Sequence, residues 1–165
     1  MSRIAVLLSV LAFGCSPSRG LTHDVSFAVS AQDAQEHPKA VEAFLGGVEA
    51  WQKAGYPHQV YLEVVETPRV NQHRVVFVDA KTFDCQGSVA VGCTTTFDDD
   101  GDTAIVIQLA GRMRASEVEH TVAHEIGHAI GLDHVEDPEA LMFHSANGRT
   151  APAEIDVLAL KAVYR

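Results

Sequence analysis

A regular spacing of histidines near the carboxyl-terminal end constrains this chain more than any other feature. From His124 to His134 the sequence is H-E-x-x-H-x-x-G-x-x-H. If its first part is helical, His124 and His128 project from one face, because residues four apart lie one above the other. Gly131 can adopt a left-handed conformation and end the helix, so that the chain turns back and brings His134 to the same place.

Three imidazoles at one place predict a site for one Zn²⁺ ion. Histidine nitrogens bind zinc, and three protein ligands leave a fourth position open, as in catalytic rather than structural sites. Glu125 lies about 100° round the helix from His124, so it stands beside the metal without binding it. A carboxylate there can take a proton from metal-activated water. We therefore predict His124, His128 and His134 as ligands and Glu125 as general base.

The short motif alone would be weak evidence, because H-E-x-x-H also occurs on ordinary helices with surface histidines. The glycine and the third histidine at fixed spacing argue against that interpretation. With them, the stretch resembles the metzincin metallopeptidases. Within that group the closest likeness is to the matrixins, and it is carried by the run from His128 to His134 and by Glu139-Ala140-Leu141-Met142-Phe143.

The resemblance implies an α/β (α+β) fold of the metzincin type. We expect a twisted, mixed five-stranded sheet with three helices and a zinc cleft between an upper and a lower subdomain. Met142 would lie in a tight turn under the zinc site as an apolar floor, which is physically close to a core methionine that fills a gap. Asp156-Val157 and Val163-Tyr164 resemble the start and end of the last matrixin helix. We expect Asp156 to tie this helix to the methionine turn, the alternative being a solvated aspartate.

The chain departs from the matrixin pattern just after the methionine. Matrixins usually have proline two residues further on, where this chain has His144. In the related astacins and serralysins this position holds a tyrosine that can approach the metal and stabilise the transition state. His144 is therefore a candidate hydrogen-bond donor or extra ligand, and an ordinary surface histidine is the alternative. No segment before the first strand resembles the cysteine-bearing propeptide of many matrixins, so we expect no latency by a cysteine cap.

Hydrophobic periodicity predicts the elements around this site. Five runs are typical of strands, at residues 24–30, 60–65, 74–78, 87–97 and 103–109. Apolar residues at helical spacing predict a helix over residues 38–54 that begins at Pro38, although Gly46-Gly47 should weaken its middle. A final helix is expected after Pro152.

The helix that carries the histidines has its own signals. Ser116 and Glu119 have the spacing of a capping box, which predicts that this helix begins at Ser116. Four apolar residues then recur every four positions and predict its buried stripe: Val118, Val122, Ile126 and Ile130.

Charge narrows the possible partners. The net charge is −10 and no basic patch stands out, which argues against nucleic acid. An acidic cluster, Asp98-Asp99-Asp100-Gly101-Asp102, suits a tight hairpin turn. Its glycine falls too early for an EF-hand loop, so Ca²⁺ is possible there but not supported. The other histidines (His23, His37, His58, His73) are scattered and are interpreted as surface residues, and His120 as exposed or behind the ligands rather than as a ligand.

The amino-terminal residues predict export. Arg3 precedes a short apolar run that ends near Phe13, too short for a permanent membrane span. We interpret residues 1–14 as a signal peptide, 15–22 as a linker and 23–165 as the catalytic domain. Cys15 after this run resembles the lipidated cysteine of bacterial lipoproteins, although Phe13 is bulky for such a signal. The alternative is an ordinary secretory signal; either way the location is extracytoplasmic, with the membrane reached only through the lipid anchor.

The two remaining cysteines form an even pair in an oxidising compartment. Cys85 and Cys93 are predicted to form a disulfide across a short loop, the alternative being two free buried thiols. In the chain-entropy account such a bridge stabilises a protein by about 2–3 kcal/mol.

These features predict a zinc-dependent endopeptidase, secreted or lipid-anchored and monomeric, that acts on a protein or peptide substrate. Substrate would add as an extended strand to an edge strand formed by Ser88, Val89, Ala90, Val91 and Gly92. The pocket for the residue after the cleaved bond is expected between the zinc helix and residues 143–150. Two alternatives are a non-catalytic zinc-binding surface lipoprotein or adhesion module, and an aminopeptidase. Glu125 argues against the first, because a carboxylate that is not a ligand serves only chemistry.

Overall fold

The computed structural model describes residues 21, 23–99 and 102–164. The predicted signal peptide, Cys15 and all of the linker except Leu21 lie outside these residues. The elements in chain order are β1 (Val25–Ser30), α1 (Ala31–Glu36), α2 (Pro38–Lys53), β2 (Val60–Val65), β3 (Arg74–Val78), β4 (Phe83–Cys85), β5 (Ser88–Ala90), β6 (Gly92–Asp99), β7 (Asp102–Ala110), α3 (Ala115–Ala129) and α4 (Glu154–Val163). None of the described helices is long and apolar enough to cross a membrane.

The main sheet has five strands in the order β2-β1-β3-β7-β6. Strand β1 runs parallel to both β2 and β3, and β3 runs parallel to β7. Strand β6 is antiparallel to β7 and forms one edge of the sheet. The predicted mixed five-stranded sheet is thus confirmed. Asp99 pairs with Asp102, which agrees with a tight turn, although residues 100 and 101 and the side chains of the acidic cluster are not described.

The stretch 87–97 was predicted as one strand, and this is wrong. Residues Ser88–Ala90 instead pair with Phe83–Cys85 in a separate two-stranded hairpin. The reason is the length of β7: its Leu109 pairs with Gly92, and the Ala110 N–H donates to the Val91 carbonyl, after which the sheet offers no further partner on that side. The residues before Gly92 therefore satisfy their backbone groups within the hairpin.

The helices also differ from expectation in two places. A fourth, short helix, α1, follows β1, because the Ser30 hydroxyl accepts a hydrogen bond from the Asp33 N–H at 2.9 Å and caps its first turn. Helix α3 begins at Ala115 rather than Ser116. Its capping carboxylate is Glu117, which accepts from the Arg114 N–H at 3.0 Å, so the predicted box of Ser116 and Glu119 is wrong.

The core lies between the sheet and the pair of helices α2 and α3. The largest fully buried side chains come from both layers: Phe27, Ile105, Ile107 and Leu109 from the sheet, and Phe44, Trp51, Ile126 and Ile130 from the helices. Trp51 fixes the two helices to one another, because its indole N–H donates to the Ala123 carbonyl at 2.9 Å. The predicted stripe on α3 is buried as expected, with Val118 only partly so.

The glycine pair in α2 does more than weaken that helix. Gly47 is buried against α3, where an added Cβ would lie 2.8 Å from Ile126 Cδ1 and 3.1 Å from Ala123 Cα. Gly46 is exposed and an added Cβ there would meet nothing within 4 Å. The missing side chain at Gly47 therefore lets α2 approach the zinc helix, while Gly46 only costs helix propensity.

These neighbours make a matched test of the packing. Gly46→Ala should raise the free energy of unfolding by about 0.5–1 kcal/mol, since alanine restricts the unfolded chain and favours the helix. Gly47→Ala should lower it by about 1–3 kcal/mol, because the new methyl group forces α2 and α3 apart. Urea unfolding of both variants measures this. A change of the same sign in both would contradict the close approach.

Candidate active site

Helix α3 presents the first half of the histidine motif and ends where the sequence predicted. Gly131 has φ +94°, in the left-handed region. The Gly131 N–H donates to the His128 carbonyl at 2.9 Å, and the Leu132 N–H donates to the Gly127 carbonyl at 3.0 Å. This pair of bonds is the Schellman motif, which satisfies the last helical carbonyls while the chain reverses. The reversal places His134 beside the two helical histidines.

The three histidines converge on one point. The Nε2 atom of His128 lies 3.1 Å from that of His124 and 3.2 Å from that of His134, and the third distance is 3.3 Å. Tetrahedral zinc with bonds of about 2.0–2.1 Å separates its ligand nitrogens by about 3.3 Å. The donor set therefore fits zinc in both chemistry and geometry. Among the described residues, these three alone form a group able to hold a metal ion.

Backbone carbonyls set the tautomer of two of these rings. His124 Nδ1 lies 2.8 Å from the Leu141 carbonyl oxygen, and His128 Nδ1 lies 2.8 Å from that of Leu132. A carbonyl oxygen only accepts, so Nδ1 carries the proton and the Nε2 lone pair is directed to the metal. Burial lowers the pKa of His124 to about 3 and that of His128 to about 4. Both rings are therefore neutral at neutral pH, the form that binds a metal.

The turn at Met142 lies under the site and is fixed by Asp156. Met142 is fully buried, and its sulfur contacts the backbone of α3 at Gly127, where a Cβ would not fit. The Asp156 carboxylate is fully buried too and accepts from the N–H groups of Leu141 at 2.8 Å, Met142 at 3.0 Å and Ala153 at 2.7 Å. The expected tie between the last helix and the methionine turn is present, and the solvated alternative is wrong.

Glu125 is buried at the edge of the sheet. It is 4% exposed, and its Oε2 accepts a hydrogen bond of 2.7 Å from the Thr94 hydroxyl on β6. Gly92 makes room for the carboxylate, since a Cβ there would lie 2.5 Å from Oε1. Burial raises the pKa of the Glu125 carboxyl group to about 7, against the lowering effect of the Thr94 hydrogen bond. The group is thus poised to exchange a proton near neutral pH.

A cleft of about 510 Å³ runs past these residues. It is lined on the sheet side by the stretch Ser88, Val89, Ala90, Val91 and Gly92, although only Gly92 belongs to the edge strand β6. Its other lining residues include Phe143, His144 and Ala146, together with His120 and Thr121 of α3. The expected pocket between the zinc helix and residues 143–150 corresponds to this part of the cleft.

A disulfide joins the hairpin to the edge strand beside the cleft. Cys85 and Cys93 are bonded, with their Cα atoms 5.9 Å apart, so the predicted disulfide is confirmed and the alternative of two free thiols is wrong. Cys93 is buried in β6 between Gly92 and Thr94. The bridge therefore links the end of β4 to the part of β6 that approaches Glu125.

His144 lies near the metal ligands but outside their group. Its ring centroid is 6.4 Å from that of His134, the side chain is exposed, and its Nδ1 lies 2.9 Å from the Ser145 hydroxyl. It lines the same cleft. A role for His144 as hydrogen-bond donor to the transition state stays a prediction.

The remaining histidines are less exposed than expected. His120 is buried, so the exposed alternative is wrong, and its Nδ1 lies 2.7 Å from the Arg149 carbonyl oxygen. The prediction of His73 as a surface residue is wrong: its Nδ1 accepts from the Ile105 N–H at 3.0 Å, and burial lowers its pKa. His37 and His58 are half-buried against aromatic rings, and only His23 is exposed as predicted.

Sequence reasoning did not find Thr94 as part of the site, and it named Gly92 only as part of the substrate edge strand, not as a neighbour of Glu125. Both act on Glu125 across the space between β6 and α3, and that contact depends on the register of β6 with β7. The one available signal was the run Thr94-Thr95-Thr96, because the side chains of an edge strand point alternately to its two faces.

Comparison with known families agrees with this geometry. The model of the matrixin family matches residues 22–165. The chain therefore belongs to the matrixin family of peptidases. No curated protein matches the chain. The family and the three-histidine centre together indicate a zinc metallopeptidase with peptide substrates.

The Asp156 network can be tested by its removal. Asp156→Ala leaves three backbone N–H groups without their acceptor, two of them in the methionine turn, and should lower the free energy of unfolding by about 3 kcal/mol or more. Glu154→Ala is the control, because Glu154 is exposed in the first turn of the same helix. This variant should change the free energy of unfolding by less than about 0.5 kcal/mol. Denaturant unfolding measures both, and equal stability of the two variants would refute the anchoring role.

Proposed function

We propose that the chain is a zinc-dependent endopeptidase with His124, His128 and His134 as ligands and Glu125 as general base. This proposal rests on one observation. A buried carboxylate that is no part of the metal-binding group lies next to three convergent imidazoles in an open cleft. A structural zinc site has no use for such a carboxylate, because its ligands fill all positions of the metal.

The chemistry divides between the metal and the protein. When bound, Zn²⁺ supplies a Lewis acid that polarises the scissile carbonyl and makes water acidic. Glu125 accepts the proton of the attacking water and then delivers it to the leaving amine. His124 and His128 stay neutral and oriented throughout, since their Nδ1 protons are held by the carbonyls of Leu141 and Leu132.

The edge of the sheet offers a place for substrate. Strand β6 ends the sheet order, and its first residues, Gly92, Cys93 and Thr94, line the cleft beside Glu125. An extended peptide can add to such an edge through main-chain hydrogen bonds, which fix its direction without selecting its sequence. The expected stretch Ser88–Ala90 lines the same cleft and pairs on one side with β4.

Replacement of the base tests the mechanism. Glu125→Gln keeps the size of the side chain but cannot take up a proton, so kcat/KM for casein or a peptide library should fall about 10²- to 10⁴-fold. Zinc content by metal analysis should stay at that of the wild type, because Glu125 is not a ligand. Equal cleavage by both proteins would favour a non-catalytic zinc-binding module, and release of only amino-terminal residues would favour an aminopeptidase.

Removal of the metal tests the zinc mechanism independently. Chelation followed by dialysis should abolish cleavage, and zinc should restore it. His128→Ala should bind no zinc and show no cleavage even after zinc is added. Full activity after chelation would refute the zinc mechanism.

We also propose that the protein acts outside the cytoplasm, held at a membrane by lipid on Cys15. The support is the basic residue, short apolar run and cysteine at the amino terminus. Labelled palmitate should enter the full chain produced in a bacterial host, and Cys15→Ser should prevent it and release the protein. Export of an unlabelled wild-type chain would favour the ordinary secretory signal instead.

A further inference from the structure

Thr94 is the only described side chain with a hydrogen bond to the Glu125 carboxylate. We propose that Thr94 is a positioning residue that holds this carboxylate in place. The proposal rests on the proposed function of Glu125 as general base, and it assigns a task to a residue that is neither a metal ligand nor part of the histidine motif.

The first step of the argument is the pair of acceptors that one hydroxyl faces. Thr94 Oγ1 lies 2.7 Å from Glu125 Oε2 and 3.0 Å from the Glu125 backbone carbonyl oxygen. A hydroxyl has one proton to donate, and it rotates freely between acceptors. The shorter distance is the usual one for a hydrogen bond between a hydroxyl and an oxygen acceptor. The second acceptor is an alternative partner that belongs to the same residue.

The second step follows from the direction of this bond. Thr94 donates to Oε2, so Oε1, which lies beside Gly92, is the oxygen left to accept from water. The bond therefore sets the direction in which the base is presented.

The third step is the rigidity of the strand that carries Thr94. Thr94 pairs with Ile107, which is fully buried on the interior strand β7. The preceding Cys93 is buried and disulfide-bonded to Cys85. Gly92, with no side chain, lets this strand lie against the carboxylate. The hydroxyl is therefore fixed by the sheet rather than by its own contact with Glu125, so it can orient the base.

A buried carboxylate needs such a partner. Glu125 is 4% exposed, so water cannot solvate the whole group. Burial of a carboxylate without hydrogen bonds costs free energy, so without the Thr94 hydroxyl the Glu125 side chain should rotate towards another donor. Loss of the Thr94 hydroxyl should therefore disturb the direction of the base more than the binding of substrate, because substrate binding depends on the main chain of β6.

Two variants separate this role from simple packing. Thr94→Val keeps the β-branched shape and removes only the hydroxyl, and kcat should fall about 10- to 100-fold with KM within about twofold. Thr94→Ser keeps the hydroxyl and should retain kcat within about threefold. Thr96→Val is the matched control, since Thr96 lies two residues further on the same face of β6 and is exposed, and it should behave as wild type. Zinc content and Tm should be unchanged in all three.

Crystal structures supply a readout that needs no turnover. In the wild type the Glu125 carboxylate should have one orientation, with Oε2 at hydrogen-bond distance from Thr94, and in Thr94→Val it should rotate or occupy several positions. The proposal is overturned if the carboxylate is unmoved in Thr94→Val, if kcat is unaffected, or if Thr94→Ser loses as much as Thr94→Val. If the wild type cleaves no peptide, the proposed function fails, while the structures still decide whether Thr94 holds Glu125.

Discussion

The buried carboxylate of Asp156 connects the last helix to the metal-binding centre. It accepts from the N–H groups of Leu141 and Met142, and the carbonyl of the same Leu141 accepts from His124 Nδ1. The orientation of His124, a predicted metal ligand, thus depends on a helix that begins thirty residues further along the chain. A buried charge is tolerable only with several donors, and three backbone N–H groups supply them here. The hydrogen bonds that offset the cost of burying the Asp156 carboxylate also fix the methionine turn.

On the opposite side of the site, the main constraint is the close approach of neighbouring elements to helix α3. Three glycines allow neighbouring backbones to come near helix α3: Gly47 on α2, Gly92 on β6, and Gly127 on α3 itself, over Met142. At each of them a methyl group would overlap an atom of the neighbouring element. The helix is therefore surrounded closely on three sides, and its histidines and Glu125 have little freedom to move. Binding and catalytic groups held in this way lose less entropy when they act.

The features that depend on local spacing could be predicted from the sequence. The helix under His124 and His128, its end at Gly131 and the disulfide of Cys85 with Cys93 all follow from neighbours within one short stretch. The tie of Asp156 to the methionine turn was expected only through the likeness to matrixins, because the fifteen residues that separate Asp156 from Leu141 give no periodicity to argue from.

The features that were missed depend on pairing between distant segments. The length of β7 decides where β6 begins, so residues 88–90 form a hairpin that no pattern within them predicts. His73 looked like a surface residue because its partner, the Ile105 N–H, is 32 positions away. Thr94 stood in a run of three threonines, and nothing in that run tells which hydroxyl meets Glu125. Register between strands supplies this information, and register is a property of the folded sheet.

The histidine centre itself explains why so many fixed contacts surround it. Three imidazoles have their Nε2 atoms 3.1–3.3 Å apart, and at least the two whose lone pairs point to the common centre, His124 and His128, repel one another. Only a cation at that point turns the repulsion into attraction, so the protein must hold the rings together by other means before the metal arrives. Asp156 through Leu141, the Schellman turn at Gly131 and the carbonyl of Leu132 supply those means. A metal ion that binds here meets ligands that are already together, because the cost of bringing them together is met when the chain folds rather than when the metal binds.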